Sequence, residues 1–299
     1  MGLLFLESFF EENPYHPKME AAKIKVFIDQ FFKTLLLHRS AIDFIKKHRL
    51  WQGVAQYGWV SKVLVFIAFI IGLKVLSLLF NWLQHTNFSN PFSAVSQMGS
   101  LYTDFAIQSY KFLFFGSLKY VMLALLEVVI FHFSRKTIEI LTGKTEEMSF
   151  RNFFKAQTRM LFVVGRSYIA FAIVAMIIRT LIDVISIFPI PLVPEILNVL
   201  KPVLIFGVHC YYIGFAILDN YHEQFGLGIK ESVKYSKQFV GVAVAAGLIL
   251  SVLVLIPFFG IIIAPILTTV AVCLMMYQNS NLHILGKQAV DFQEIDETV

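Results

Sequence analysis

The chain has 299 residues, 57% of them hydrophobic, with a mean hydropathy of +0.71 and only 15% charged residues. A soluble domain carries about a quarter of its residues as charges, so this composition excludes an ordinary soluble module and predicts an all-α protein that crosses a membrane several times. The net charge of +5 speaks to topology and to acidic headgroups, not to nucleic acid.

Residues 1–16 read as a polar, acidic leader ending in Asn13-Pro14. No cleavable signal peptide is expected, because the opening residues lack a basic start and a small-residue cleavage site. From residue 17 the spacing turns helical. Ile24, Phe27, Ile28, Phe31, Phe32, Leu35 and Leu36 recur on one side, with Lys23, Asp29 and Lys33 between them. That pattern predicts an amphipathic helix, too polar to span and lying along the membrane surface. Residues 41–50 continue it and end in Lys46-Lys47-His48-Arg49, beside Trp51. Basic residues next to an aromatic anchor a chain at the interface. Residues 1–58 thus form a cytoplasmic leader with an interfacial helix.

The integral membrane domain is expected over 59–277. A first spanning helix covers 60–83; Lys62 can snorkel from its start, whereas Lys74 sits deeper in lipid. Residues 84–110 form a polar loop with no Lys or Arg. A second spanning helix covers 111–133 and holds Lys119 and Glu127, about 80° apart around the axis. Two readings stand for this pair. It is a functional intramembrane pair, or Lys119 snorkels and Glu127 meets another helix. Residues 134–160 are basic.

Two apolar units with proline-rich turns follow. The first, 161–218, carries Arg166, Arg179 and Asp183 on its outgoing helix and turns through Pro189, Pro191 and Pro194. Arg179 and Asp183 are spaced i, i+4 and can pair on one helix face. The second unit, 240–276, is a run of 37 apolar residues with Pro257, Gly260 and Pro265 near its middle. Proline removes a backbone donor and glycine permits a sharp turn. The run therefore reads as two short helices meeting within or near the bilayer, or as an ordinary hairpin with its turn at the surface. Two such units suggest a weak internal duplication of the kind transporters carry. The fold class expected is two long transmembrane helices plus two Pro-turn helical hairpins that do not both cross the full hydrocarbon core.

Residues 219–239 form a polar segment with Lys230, Lys234 and Lys237, and 278–299 an acidic, solvated cytoplasmic tail. Segments rich in Lys and Arg alternate with segments that have none, which predicts both termini in the cytoplasm. The two cysteines, Cys210 and Cys273, lie in apolar helices as inert buried thiols. No disulfide, metal or cofactor framework is expected.

The succession of features resembles the CysZ-type sulfate permeases, within the etoposide-induced-protein superfamily. The likeness rests on Phe44-Ile45-Lys46-Lys47-His48-Arg49-Leu50 before the first spanning helix and on Leu141-Thr142-Gly143-Lys144 closing the second. It continues in Leu218-Asp219-Asn220 and in Leu255-Ile256-Pro257-Phe258-Phe259-Gly260 through Ala264-Pro265. The chain departs from the pattern at Gly260, where the bacterial permeases usually have Asn. The resemblance implies an all-helical oligomer, with hairpins that penetrate the membrane only part way, engaged in sulfate uptake.

An oxyanion needs donors. The backbone at Phe259, Gly260 and Ile261 starts a half-helix and offers N–H groups at its positive end. Arg49, Arg166 and Arg179 offer planar forks that hold oxyanions bidentately. Each arginine also has an ordinary reading, as a headgroup anchor (Arg49), an interface residue (Arg166) or the partner of Asp183 (Arg179). The expected function is a sulfate-like permease or channel in a bacterial inner membrane. Its expected partners are the bilayer, an inorganic oxyanion and further copies of itself. The alternative is a non-transporting membrane scaffold of the same superfamily. No enzyme is expected: no phosphate loop, zinc-protease or nucleophile-elbow motif occurs. His209 and Cys210 adjoin on a helix and point about 100° apart.

Overall fold

With no water in the bilayer core, each backbone N–H and C=O needs an internal partner, and a helix supplies it within one segment. The structure, a computed structural model, describes residues 17–52, scattered helical positions between 66 and 84, and residues 118–144, 150–186, 193–254, 256 and 260–286. Among the described residues every regular element is helical: α1 (Pro17–His48), α2 (Leu118–Thr142), α3 (Phe150–Ile185), α4 (Val193–Gln224), α5 (Ile229–Ser236), a 3-10 turn (Lys237–Phe239), α6 (Val240–Val254), α7 (Gly260–Asn279) and the short α8 (Leu282–Leu285). Among the described residues, four stretches are long and apolar enough to cross a membrane: Thr158–Ile185, Val199–Gln224, Ile229–Val254 and Ile262–Asn279. The chain is an all-α membrane protein. The described positions between Phe66 and Gln84 are helical too, as the first spanning helix requires, with Phe66, Phe69, Phe80 and Leu83 exposed.

Helix lengths refine the hairpins. At 1.5 Å per residue, the 36 residues of α3 and the 32 of α4 reach about 54 and 48 Å. Both exceed the roughly 30 Å of a hydrocarbon core, so length does not hold the first hairpin to a partial crossing. In the second hairpin α6 has 15 residues, about 22 Å. It amounts to a full crossing only together with α5 and the 3-10 turn before it.

Pro194 falls in the first turn of α4, where a missing N–H costs nothing. Pro265, expected in the turn, instead lies buried inside α7; the apolar run resumes its helix at Gly260 and carries the proline past the turn. Pro189, Pro191, Pro257, Phe259 and Lys74 lie outside the described residues. Lys119 and Glu127 fall on α2 with side chains outside them. Gly143 ends α2 at φ +68°, its N–H donating to the Glu139 carbonyl at 2.9 Å, an αL cap that glycine suits.

The amino-terminal helix is docked on the bundle. α1 packs on α6 and α7. The side it turns inward is polar: Gln30, Thr34 and His38 are buried, with Ala41. Each of the three polar side chains there makes a hydrogen bond, and among the described residues His38 Nε2 is left without one. Gln30 Nε2 donates to the Gln238 carbonyl at 2.6 Å, and the Thr34 hydroxyl to the Gln30 carbonyl at 2.7 Å. His38 Nδ1 donates to the Thr34 carbonyl at 2.8 Å. Burial pushes the His38 pKa below its ordinary value, so the ring sits there uncharged. The start of α6 offers only small groups. A Cβ on Gly241 would lie 2.3 Å from the Phe27 carbonyl oxygen, and that close approach is what lets α1 dock. The large apolar residues Ile24, Phe32 and Leu36 face outward. Among the described residues, α1 is therefore packed into the bundle.

The main core gathers Leu218, Tyr221, Val242, Val272, Met276 and Leu282. Ser280 and Leu282 are buried in it, so the solvated tail does not begin at 278. At the centre, α4 and α6 touch backbone to backbone. A Cβ on Gly214 would lie 1.7 Å from the Ala243 oxygen, and one on Gly247 would lie 1.8 Å from the Cys210 oxygen. Cys210 and Cys273 are free and buried.

Candidate functional site

The polar segment 219–239 is helical over most of its length. α4 continues through it to Gln224, and Asp219, Asn220 and His222 are buried. The partner of Asp219 comes from the start of the outgoing helix. Arg159 on α3 forms a two-pronged pair with Asp219, Nε to Oδ2 at 3.0 Å and Nη2 to Oδ1 at 2.7 Å. Its Nη1 donates to the Leu227 carbonyl, and the Glu223 carboxylate stands 3.8 Å from Nε. One guanidinium thus ties α3, α4 and the turn before α5 together, using the planar fork that suits a carboxylate.

His222 is fully buried beside this pair. Its Nδ1 is 2.9 Å from Ser232 Oγ on α5, and Tyr235 meets the ring edge-on at 5.3 Å. A serine nucleophile makes such a hydrogen bond with its base. Here both residues are wholly enclosed and Nε2 has no hydrogen-bond partner among the described residues, so the pair serves packing, not acyl transfer. The sequence signal for this knot was present in part. Asp219 follows one apolar run and Arg159 precedes the other, at ends that an antiparallel hairpin brings together. His222 and Ser232 carried no such signal.

These contacts tie Arg159 to the turn before α5, in the segment that carries Lys230, Lys234 and Lys237. Two turns farther along α3, about 10 Å in, stands Arg166. It lines a cavity of about 110 Å³ between α3 and α4. Ile229 and Val233 of α5 line it as well, with Tyr211 and Tyr212 on the α4 side. Among the described residues the lining is apolar apart from Arg166, Ser167 and the tyrosine hydroxyls.

The other arginines separate. Arg49 is exposed, at φ +48°, one residue past α1. The Leu50 N–H reaches the Ile45 carbonyl at 3.2 Å and the Arg49 N–H reaches Lys46 at 3.3 Å. This is the paired closure that normally places glycine at the left-handed position. Arg49→Gly is expected to raise stability by about 0.5–1 kcal/mol, read as a shift in the unfolding midpoint in detergent. Arg179 is exposed near the far end of α3, and the anticipated pair with Asp183 does not form. Asp183 instead accepts from Lys201 Nζ on α4 at 2.6 Å. Arginine and aspartate spaced i, i+4 on a helix gain only tenths of a kcal/mol, so a lysine across the hairpin competes readily.

At the second turn, Gly260 is buried and its N–H donates to the Ile256 carbonyl at 2.9 Å. A Cβ there would meet the Leu253 oxygen at 2.2 Å. The glycine lets its own chain fold close, and its amide is already engaged. Ile261 follows on α7 with its side chain outside the described residues. Thus Arg49, Arg179 and Gly260 belong to three separate local arrangements: a helix cap, an exposed helix face and a tight turn. Comparison with family models, with curated proteins and with solved structures returned no match to this chain.

Proposed function

We propose that this chain is a permease or channel for a sulfate-like oxyanion, working as a homo-oligomer in a bacterial inner membrane with both termini cytoplasmic. The observation that carries this reading is the release of Arg179. With Asp183 held by Lys201, the guanidinium stays exposed on α3 among apolar residues such as Met176 and Leu181. A cation near lipid attracts an anion more strongly than one in water. Because Arg179 faces out of the protomer, the oxyanion it captures would sit between copies. The resemblance to the CysZ-type permeases supports the same class.

Flux of labelled sulfate into proteoliposomes is the test. Arg179→Gln is expected to lower uptake about tenfold, the effect of losing one charge-assisted hydrogen bond. Arg49→Gln, at a helix cap, should stay within about twofold of the parent. Equal flux in the parent and in Arg179→Gln would remove Arg179 from the path. The predominantly apolar lining of the α3–α4 cavity favours a second reading, a non-transporting membrane scaffold, which a parent protein without flux would support.

A further inference from the structure

We infer that a second copy of this chain packs in parallel on the outer face of α3, about a two-fold axis along the membrane normal. The two Arg179 side chains then share one divalent tetrahedral oxyanion at the seam. The site rests on the oxyanion reading above and fixes its geometry. Phe162, Gly165, Ile169, Ala172, Met176 and Arg179 recur at alternating intervals of three and four residues, and all of them are exposed. Those intervals form the seam of a parallel, left-handed helix pair. The opposite side of α3 packs on α4, with Val163, Ser167, Ala175 and Ile182 buried. Of the four spanning stretches described, the one in α3 is the least enclosed. A Cβ at Gly165 would meet nothing within 4 Å, so the protomer itself leaves that position open. Small residues such as Gly165 and Ala172 let two backbones approach closely in lipid.

Charge favours a second copy over acyl chains on this face. Arg179 stands about 9 Å short of the end of α3, inside the spanning stretch Thr158–Ile185. A cation at such a place normally faces other protein or a watery cavity and pairs there. Among the described residues Arg179 has no ion-pair partner, because Asp183 gives its carboxylate to Lys201 across the hairpin. A two-fold axis sets each seam residue opposite its own copy, so two guanidiniums meet. Alone they repel; a dianion between them cancels both charges. A tetrahedral oxyanion has two opposite oxygen–oxygen edges, one for each planar fork. Nitrate is planar, carries one charge, and cannot offer two forks separate edges. Each protomer thus holds half of a site, and the completed site selects for double charge.

Oxidative cross-linking of the full-length protein in proteoliposomes tests the seam. The native Cys210 and Cys273 are free and buried, so introduced cysteines report on the surface. Ala172→Cys and Met176→Cys are expected to give disulfide-linked dimers, whereas Val203→Cys, exposed on α4, should stay monomeric. Millimolar inorganic sulfate should raise the cross-linking rate about fivefold over chloride, the effect of relieving one like-charge contact. Nitrate should leave the rate at its chloride value. With Arg179→Gln added, the cross-link should form at one rate with or without sulfate. A thermal melt shows which variants are folded, and the two seam cysteines give independent readings. Monomers at both positions in folded protein would leave α3 to lipid and overturn the seam, without touching flux. Dimers that form at one rate in sulfate, nitrate and chloride would overturn the shared dianion, as would a sulfate effect that survives Arg179→Gln. Sulfate-promoted dimers of a protein that carries no flux would keep the seam and its ligand and strike only transport.

Discussion

Asp219→Ala is expected to destabilise the protein by about 3–5 kcal/mol, the largest loss among single side-chain truncations around Arg159. The size follows from what is left behind. Asp219 is 2% exposed at its side chain and Arg159 13%, so truncation leaves a guanidinium enclosed with only the Leu227 carbonyl and a distant Glu223. The exposed pair Asp29–Lys33 on α1 has a similar N–O distance of 2.7 Å, but both side chains are 54% exposed. Asp29→Ala should cost no more than about 0.5 kcal/mol. Replacing both partners, Arg159→Met with Asp219→Leu, should recover most of the loss, because an unpaired buried charge costs more than an absent pair. Unfolding titrations in mixed micelles read all three. A loss for Asp219→Ala as small as that for Asp29→Ala would mean that the pair does not lock α3 to α4.

Gly247→Ala should cost about 3 kcal/mol or more, at the top of the range for overpacking, and Gly247→Leu should fail to accumulate as folded protein. The added carbon would stand 1.8 Å from the Cys210 carbonyl oxygen. A backbone atom in a helix has no rotamer to move into, so α4 and α6 must separate. Their contact depends on that nearness, and helices in lipid associate through such packing. Gly207 supplies the comparison on α4 itself. A Cβ there meets nothing within 4 Å, and Gly207→Ala should stabilise by about 0.5–1 kcal/mol through helix propensity alone. The same substitution should thus change sign over the distance between two helix faces. Equal effects at the two positions, read from thermal melts in detergent, would refute the backbone contact.

The helices were legible because lipid leaves the chain few alternatives, and 37 residues without a charge at 240–276 state their environment outright. Gly143 was legible for a similar reason, since a turn after Leu141-Thr142 needs the left-handed conformation. The pairings were not. Arg179 and Asp183 satisfy a local spacing rule, yet Lys201 wins because partners across a hairpin are set by register, which the sequence does not display. Arg159 and Asp219 stand 60 residues apart and meet only once α3 and α4 are antiparallel. The inward face of α1 defeated pattern reading altogether. Its periodicity marks the apolar side, and in a membrane protein the apolar side can belong to the lipid.

That inverted α1 also sets an order of events during synthesis. Gln30 and its acceptor, Gln238, are separated by 208 residues. α1 emerges from the ribosome well before the helices it packs on and cannot find its seat until the α6–α7 hairpin has been made and inserted. Until then its buried stripe, Gln30-Thr34-His38, has only water or headgroups for company, while Ile24, Phe32 and Leu36 already have somewhere apolar to rest. Contacts so distant in sequence form slowly. A nascent chain stopped before residue 238 would hold the first hairpin, α3 and α4, with α1 still undocked, and closure would come as a late step.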